Sequence, residues 1–344
     1  MLLSVVVTGQ TARKYSNEFM NIGVDARAFG MSNAVVANTK DVNSGYWNPA
    51  GLVNLEDNQI ALMHAAYFAN IAQYDYAAFA MPIDEQSAWG ISMIRFGVDD
   101  ILNTTQLIDE QGNIDFNRIS LFSAADYGIT FSYARSPQFI DGFSYGINAK
   151  VIRRIIGDFA SSWGFGFDLG VQYEKNNWRF GIMARDITTT YNTWQIEENL
   201  FDDISDQIPE QELPETTEIT IPKLQIGAAK TFVFNYDYTL IAEIDLNMRF
   251  AETEDIITTS IMSISPSLGV EFGYLKLVHL RAGIGNFQKI SQFGEETLNF
   301  QPNIGIGFHY KGIYIDYALT DIGNQSAAIY SNVFSLKIDW QLFR

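Results

Sequence analysis

The chain carries three imidazoles, His64, His279 and His309, and no cysteine. A nucleophilic hydrolase needs a serine hydroxyl within reach of a histidine, and no spacing around these three residues singles out such a pair. Without thiols, disulfide frameworks, cysteine nucleophiles and zinc–thiolate centres are excluded. The densest group of possible ligands is acidic: Glu197, Glu198, Asp202, Asp203, Asp206, Glu210, Glu212, Glu215 and Glu218 follow one another with no lysine or arginine before Lys223. Clustered carboxylates can hold calcium, but this spacing is not that of an EF-hand loop. The run reads as a solvated surface, or as a docking loop for a protein partner with Glu197, Glu198, Asp202, Asp203 and Asp206 foremost. This chemistry points away from an enzyme, a metal centre or a bound cofactor. A formal net charge of −18 also argues against nucleic acid, because phosphate binding needs a basic surface.

The remaining ionisable residues sit at alternate positions of strand-like segments. Trp163, Phe165, Phe167, Leu169, Val171 and Tyr173 are interleaved with Ser162, Gly164, Gly166, Asp168, Gly170 and Gln172. Tyr238, Leu240, Ala242, Ile244, Leu246 and Met248 are interleaved with Thr239, Ile241, Glu243, Asp245, Asn247 and Arg249. Side chains alternate faces along a strand, so one face is apolar while the other carries charge. The same phase puts Asp75, Asp126, Lys150, Asp168, Arg179, Arg185, Glu243, Asp245, Glu271, Arg281, Asp316 and Lys337 on the polar face. Both signs occur there, which suits mutual pairing in a hydrated interior or the lining of a transport path.

No run of about 18 apolar residues exists, so a membrane-spanning helix is excluded. An apolar sheet face in lipid requires a closed barrel, because open edges cannot face hydrocarbon. The alternation predicts about fourteen antiparallel transmembrane strands, near 58–68, 70–82, 86–97, 123–135, 142–155, 161–174, 177–187, 222–233, 237–250, 265–275, 277–287, 299–310, 312–321 and 328–344. The long connections, 98–122, 188–221, 251–264 and 288–298 among them, then all fall at one end, and short turns at the other. That asymmetry is the one expected of an outer-membrane barrel, with both termini periplasmic and lipid and lipopolysaccharide around the wall. Trp340, Leu342 and Phe343 close the last strand in a pattern resembling the C-terminal signal of such barrels, although Arg344 follows the final aromatic.

Three regions result: residues 1–12, read as the remnant of a secretory signal peptide; 13–56, an N-terminal segment without period-two alternation; and 57–344, the barrel. The second holds two clusters, Asp25-Ala26-Arg27-Ala28-Phe29-Gly30-Met31-Ser32-Asn33-Ala34 and Asp41-Val42-Asn43-Ser44-Gly45-Tyr46-Trp47-Asn48-Pro49-Ala50-Gly51-Leu52. The Asn-Pro step favours a turn into a short helix, since proline fits the first helical position. In these clusters the chain resembles FadL-like outer-membrane barrels and, within them, the PorV/PorQ family of type IX secretion. The resemblance implies a luminal plug or hatch built from Asp25, Ala26, Arg27, Gly30, Met31, Trp47, Asn48, Pro49, Ala50 and Gly51. Glycines 164, 166, 170, 269, 273, 283, 285, 305 and 307 recur inside strands, where they would leave room on the inner wall for that plug.

The function expected from the resemblance is a PorV-like accessory that binds a secretion translocon or exported proteins. The alternative is a FadL-like channel for hydrophobic small molecules, which would need an apolar pocket beside Trp47–Leu52 and a kinked strand near the hatch.

Overall fold

The computed structural model describes residues 16–67, 71–107, 112–197, 216–253, 255–292, 295–320 and 330–340. Fourteen antiparallel strands form one closed sheet. They are β1 (Gln59–Tyr67), β2 (Ala72–Asp84), β3 (Ser87–Asn103), β4 (Ser120–Arg135), β5 (Phe143–Ile156), β6 (Ala160–Lys175), β7 (Trp178–Arg185, resuming as Thr190–Ile196), β8 (Thr217–Thr220, resuming as Lys223–Val233), β9 (Tyr238–Arg249), β10 (Ser263–Tyr274), β11 (Val278–Gln292), β12 (Glu295–Tyr310), β13 (Ile313–Thr320) and β14 (Ser331–Asp339). Each strand pairs with its sequence neighbours, and β1 pairs with β14 from Gln59↔Asp339 to Ala66↔Asn332. That last ladder removes the edge, as lipid demands.

The outer face is apolar where a soluble protein would be polar. Phe165 is 60% exposed and Leu169 47%, while their strand neighbour Asp168 is buried at 1%. Ile244 faces outward beside Glu243 and Asp245, which are buried. Short hairpins close one end. Asn176-Asn177, Leu275-Lys276 and Lys311-Gly312 all take positive φ at both central positions, the turn whose twist matches the flanking strands.

The strands at the opposite end run longer than the alternation predicts. β3 extends to Asn103, and β7 and β8 to Ile196 and Thr217, so the connections expected at 98–122 and 188–221 shrink to 104–119 and 197–216. The connection expected at 288–298 shrinks to 293–294, because β11 and β12 pair out to Gln292↔Glu295. These strand ends satisfy their backbone by pairing without an apolar stripe, and it was the stripe that sequence could read.

Asp75 corrects the expected phase of β2. Tyr74 and Tyr76 are buried inside, whereas Asp75 faces outward and pairs with His64 of β1 at 2.7 Å and Arg95 of β3 at 3.5 Å. With alanine on both faces of β2, hydrophobicity alone could not set its phase. Inside, the chain's main apolar core joins Phe19, Val24, Phe29, Val35, Trp47 and Leu52 of the N-terminal segment to Tyr74, Tyr76 and Ile94 of β2 and β3.

Candidate functional site

Residues 16–56 contact the inward face of strands around the whole circumference. Helix α1 (Ala26–Gly30) begins at Asp25, whose carboxylate caps the Arg27 amide at 3.2 Å, while the Ala26 amide donates to Ser335 Oγ of β14 at 2.7 Å. Arg27 reaches Glu271 of β10 at 2.9 Å; Arg281 of β11 holds Glu271 at 2.6 Å and Asp316 of β13 at 2.6 Å. Four charges from four elements are thus joined in one buried chain, which relieves the cost of removing each from water. Gly30 ends α1 against Gly305 of β12: a Cβ on Gly30 would stand 3.0 Å from the Gly305 backbone, so neither position has room for a side chain.

Beyond α1 the chain has unpaired backbone donors, and the wall supplies acceptors. The Val35 and Val36 amides donate to Asp245 Oδ2 at 2.9 and 3.1 Å, and the Ala37 amide to Glu243 Oε1 at 2.7 Å. Asp41 pairs with Lys337 of β14 at 2.5 Å. Helix α2 (Ser44–Trp47) follows, and a single 3₁₀ turn (Pro49–Asn54) starts with proline at its first position and Asn48 as cap, as the Asn-Pro step predicts. Asn48 Nδ2 also donates to Val36 O at 3.1 Å and Val171 O of β6 at 3.0 Å. Gly170 of β6 makes this possible, because a Cβ there would stand 2.2 Å from Asn48 Oδ1.

Two carboxyls of the segment differ in environment. Burial, with Asp316 and Asp41 nearby, pushes Asp25 up to about 7 against the opposing pull of Lys337 and Arg27. Asp41 is also raised by burial, but the Lys337 ammonium and Arg27 more than offset this and hold it below the ordinary carboxylate value.

A cavity of about 310 Å³ lies on the long-loop side of the segment, reached by Tyr67, Arg249 and Thr320 at the ends of their strands and floored by Phe29, Tyr46 and Trp47. A second, of about 290 Å³, lies at the short-turn end beside Ala37, Asn54 and Gly142. The two share no lining residue. The wall itself is interrupted between β7 and β8. Lys223 pairs with Arg185 and Thr190 with Thr220, leaving Asp186–Thr189 against only Ile221 and Pro222. Asp186 and Thr189 have positive φ, and the displaced backbone is pinned from inside: Lys150 binds Asp168 at 2.7 Å and Asp186 at 2.6 Å, and Thr190 donates to Asp186 at 2.6 Å. A small cavity beside Ile221 and Pro222 shares Lys223 and Arg249 with the larger one above the segment.

The structure thus brings Asp168, Arg179, Arg185, Glu243, Asp245, Glu271, Arg281 and Asp316 to the interior, as the alternation predicts. It gathers Asp25, Ala26, Arg27, Gly30, Met31, Trp47, Asn48, Pro49, Ala50 and Gly51 against that interior. Not all the strand glycines serve this segment: Gly164 and Gly166 make room for Asn192 and Thr190 of β7 instead. The cavity at Trp47 is not the apolar pocket expected there, because Gln225, Asn247, Gln301 and Asn303 line it and Leu52 is fully buried elsewhere. Trp340 is exposed one residue past the end of β14. Residues 1–12, Glu198, Asp202, Asp203, Asp206, Leu342 and Phe343 lie outside the described residues, and Glu197 is exposed one residue past the end of β7. Sequence reasoning did not pick out Lys223, Gln225 or Asn247 as site residues, nor Arg249 as more than one member of an alternation. Only the strand register brings them together.

No family model matches the sequence, and no curated protein matches it. Solved structures do. A toluene transporter, TodX of Pseudomonas putida, superposes with a TM-score of 0.57 at 12% identity, covering 92% of this chain and 98% of that one. A FadL homologue of Pseudomonas aeruginosa gives 0.53 at 12% identity, and the toluene transporter TbuX of Ralstonia pickettii 0.53 at 11%, each covering 92% of this chain and 98% of the other. The fold is that of the FadL-type barrels.

Proposed function

We propose that this chain is an outer-membrane channel for small molecules, with residues 16–56 as the plug of its lumen and the β7–β8 interruption as a lateral exit. The supporting observation is a cavity that runs from the long-loop mouth to Trp47 and shares Lys223 and Arg249 with a small one, of about 30 Å³, at the interrupted wall beside Ile221–Pro222. A solute that reaches Trp47 meets a packed segment held by ion pairs and backbone hydrogen bonds. The nearest place where the wall lacks its ladder is beside it. In this orientation the long connections face the medium, the short turns face the periplasm, and lipid and lipopolysaccharide cover the apolar wall.

The sequence motifs favoured a type IX secretion accessory. The likeness to toluene transporters and to a monoaromatic hydrocarbon channel weighs for the channel instead, and so does the strand interruption, which a docking scaffold has no need of. The test is uptake by cells that make the barrel in place of their own channels, with toluene, phenol, 4-hydroxybenzoate and glucuronate as labelled solutes. Faster entry of at least one than in empty-vector cells is the expected result. Entry no faster for any of the four, with folded barrel present in the membrane, would sink the proposal.

A further inference from the structure

The cavity above Trp47 holds three cations in one row. Lys223 of β8 lies directly opposite Arg185 of β7 and Arg249 of β9. Residues directly opposite in such a ladder have Cβ atoms about 5 Å apart, and like charges there are destabilising. Arg185, Lys223 and Arg249 all line the same cavity, and among the described residues none has a carboxylate within ion-pair distance. Asp255 lines the same cavity with its Oδ2 hydrogen-bonded by Thr253, Asp186 is held by Lys150 and Thr190, and Glu18 accepts from Asn21; none of the three is within ion-pair distance of the row.

The row is also held in place. Arg185, buried at 5%, donates to Gln225 at 2.7 Å and Tyr46 O at 2.9 Å and stacks on the Tyr46 ring at 4.5 Å. Gln225 donates to Asn247 at 2.6 Å, and Asn247 to Ser265 O at 3.3 Å. Cations without an ion-pair partner among the described residues and fixed amides around one aromatic floor make a polar recognition site.

We infer that this cavity recognises a small ring compound that bears hydroxyls and one oxyanion, a carboxylate or a phosphate. The oxyanion sits at Arg185, Lys223 and Arg249, the hydroxyls meet Gln225 and Asn247, and the ring lies over Phe29 and Trp47. Its role as the entry site rests on the channel reading. A plain hydrocarbon would leave the cations and amides desolvated and unmatched, which is unfavourable.

The test is isothermal titration of the full-length barrel in detergent with glucuronate against glucose and with 4-hydroxybenzoate against phenol. At least one acid is expected to bind about tenfold or more tighter than its neutral counterpart, since hydrogen bonds to charged groups contribute about 1.5–3 kcal/mol; which acid does so tells a sugar acid from an aromatic one. Lys223→Gln and Arg249→Gln, each at a strand end and outside the chain of bonds that fixes Arg185, should each erase that preference while the barrel keeps its strand circular dichroism. Equal binding of acids and neutral compounds, or a preference unchanged in both variants, would overturn the inference. Failure here with ring compounds still entering cells leaves the channel standing; acid binding without entry of any solute leaves the site standing and removes the channel.

Discussion

At the scale of single residues, the interior is arranged so that charges of the N-terminal segment are answered by charges of the wall. Lys337 is the sharpest case, because Asp41 has no second cation within ion-pair distance among the described residues. Removing one partner of a buried pair costs about 3–5 kcal/mol, so Lys337→Met should raise amide exchange in residues 38–44 by about a hundredfold or more. The double change Asp41→Asn with Lys337→Met should recover most of the protection; no recovery would show that packing, not the pair, holds this stretch. Asp25 gives a pH dependence of known sign. Its proton is kept in the folded form up to about pH 7, against an ordinary value of 3.8, so the folded state binds more protons between those limits and loses stability as pH rises through them. The seat of α1 is expected to be firmest near pH 4, to loosen up to pH 7 and to change no further above it. Exchange of the Ala26–Gly30 amides measures this, and Asp25→Asn should flatten the profile. Most of these inward charges were legible because each falls in the polar phase of a clear alternation. Asp75 was misread because β2 is alanine-rich on both faces, and Lys223 was missed because it stands next to Pro222, where the alternation breaks.

At the scale of elements, the feature that matters is the displaced backbone of β7. Four residues, Asp186–Thr189, stand against two in β8, and no apolar pattern marks such a departure. In the sequence, Asp186 and Ile187 read as the end of a strand and Thr188-Thr189-Thr190-Tyr191 as the start of an outer loop. The Lys150–Asp168–Asp186 cluster that fixes the bulge joins three strands, so it could not be assembled before the register was known. Deleting Ile187 and Thr188 would equalise the two strands and extend the ladder across the gap. Uptake of the preferred solute is expected to fall to the empty-vector level while the barrel still assembles. Undiminished uptake would place the exit elsewhere. The Asn48–Pro49 turn was legible for the opposite reason, because its cap and its proline are adjacent in sequence and act locally.

At the scale of the whole molecule, closure, strand number and the sorting of long and short connections followed from period two alone. The contents of the lumen did not, because inward residues are chosen by their fit to the N-terminal segment and to each other. The N-terminal segment and the last strand also meet at the seam. The Ala26 amide binds Ser335 and Asp41 binds Lys337, contacts separated by 309 and 296 residues, and β14 zips onto β1 beside them. Contacts so distant in sequence are the slowest to form. Two anchors of the segment, at Ala26 and Asp41, therefore wait for the strand made last, and biogenesis of this barrel must keep that stretch from finding another partner while the wall is built around it.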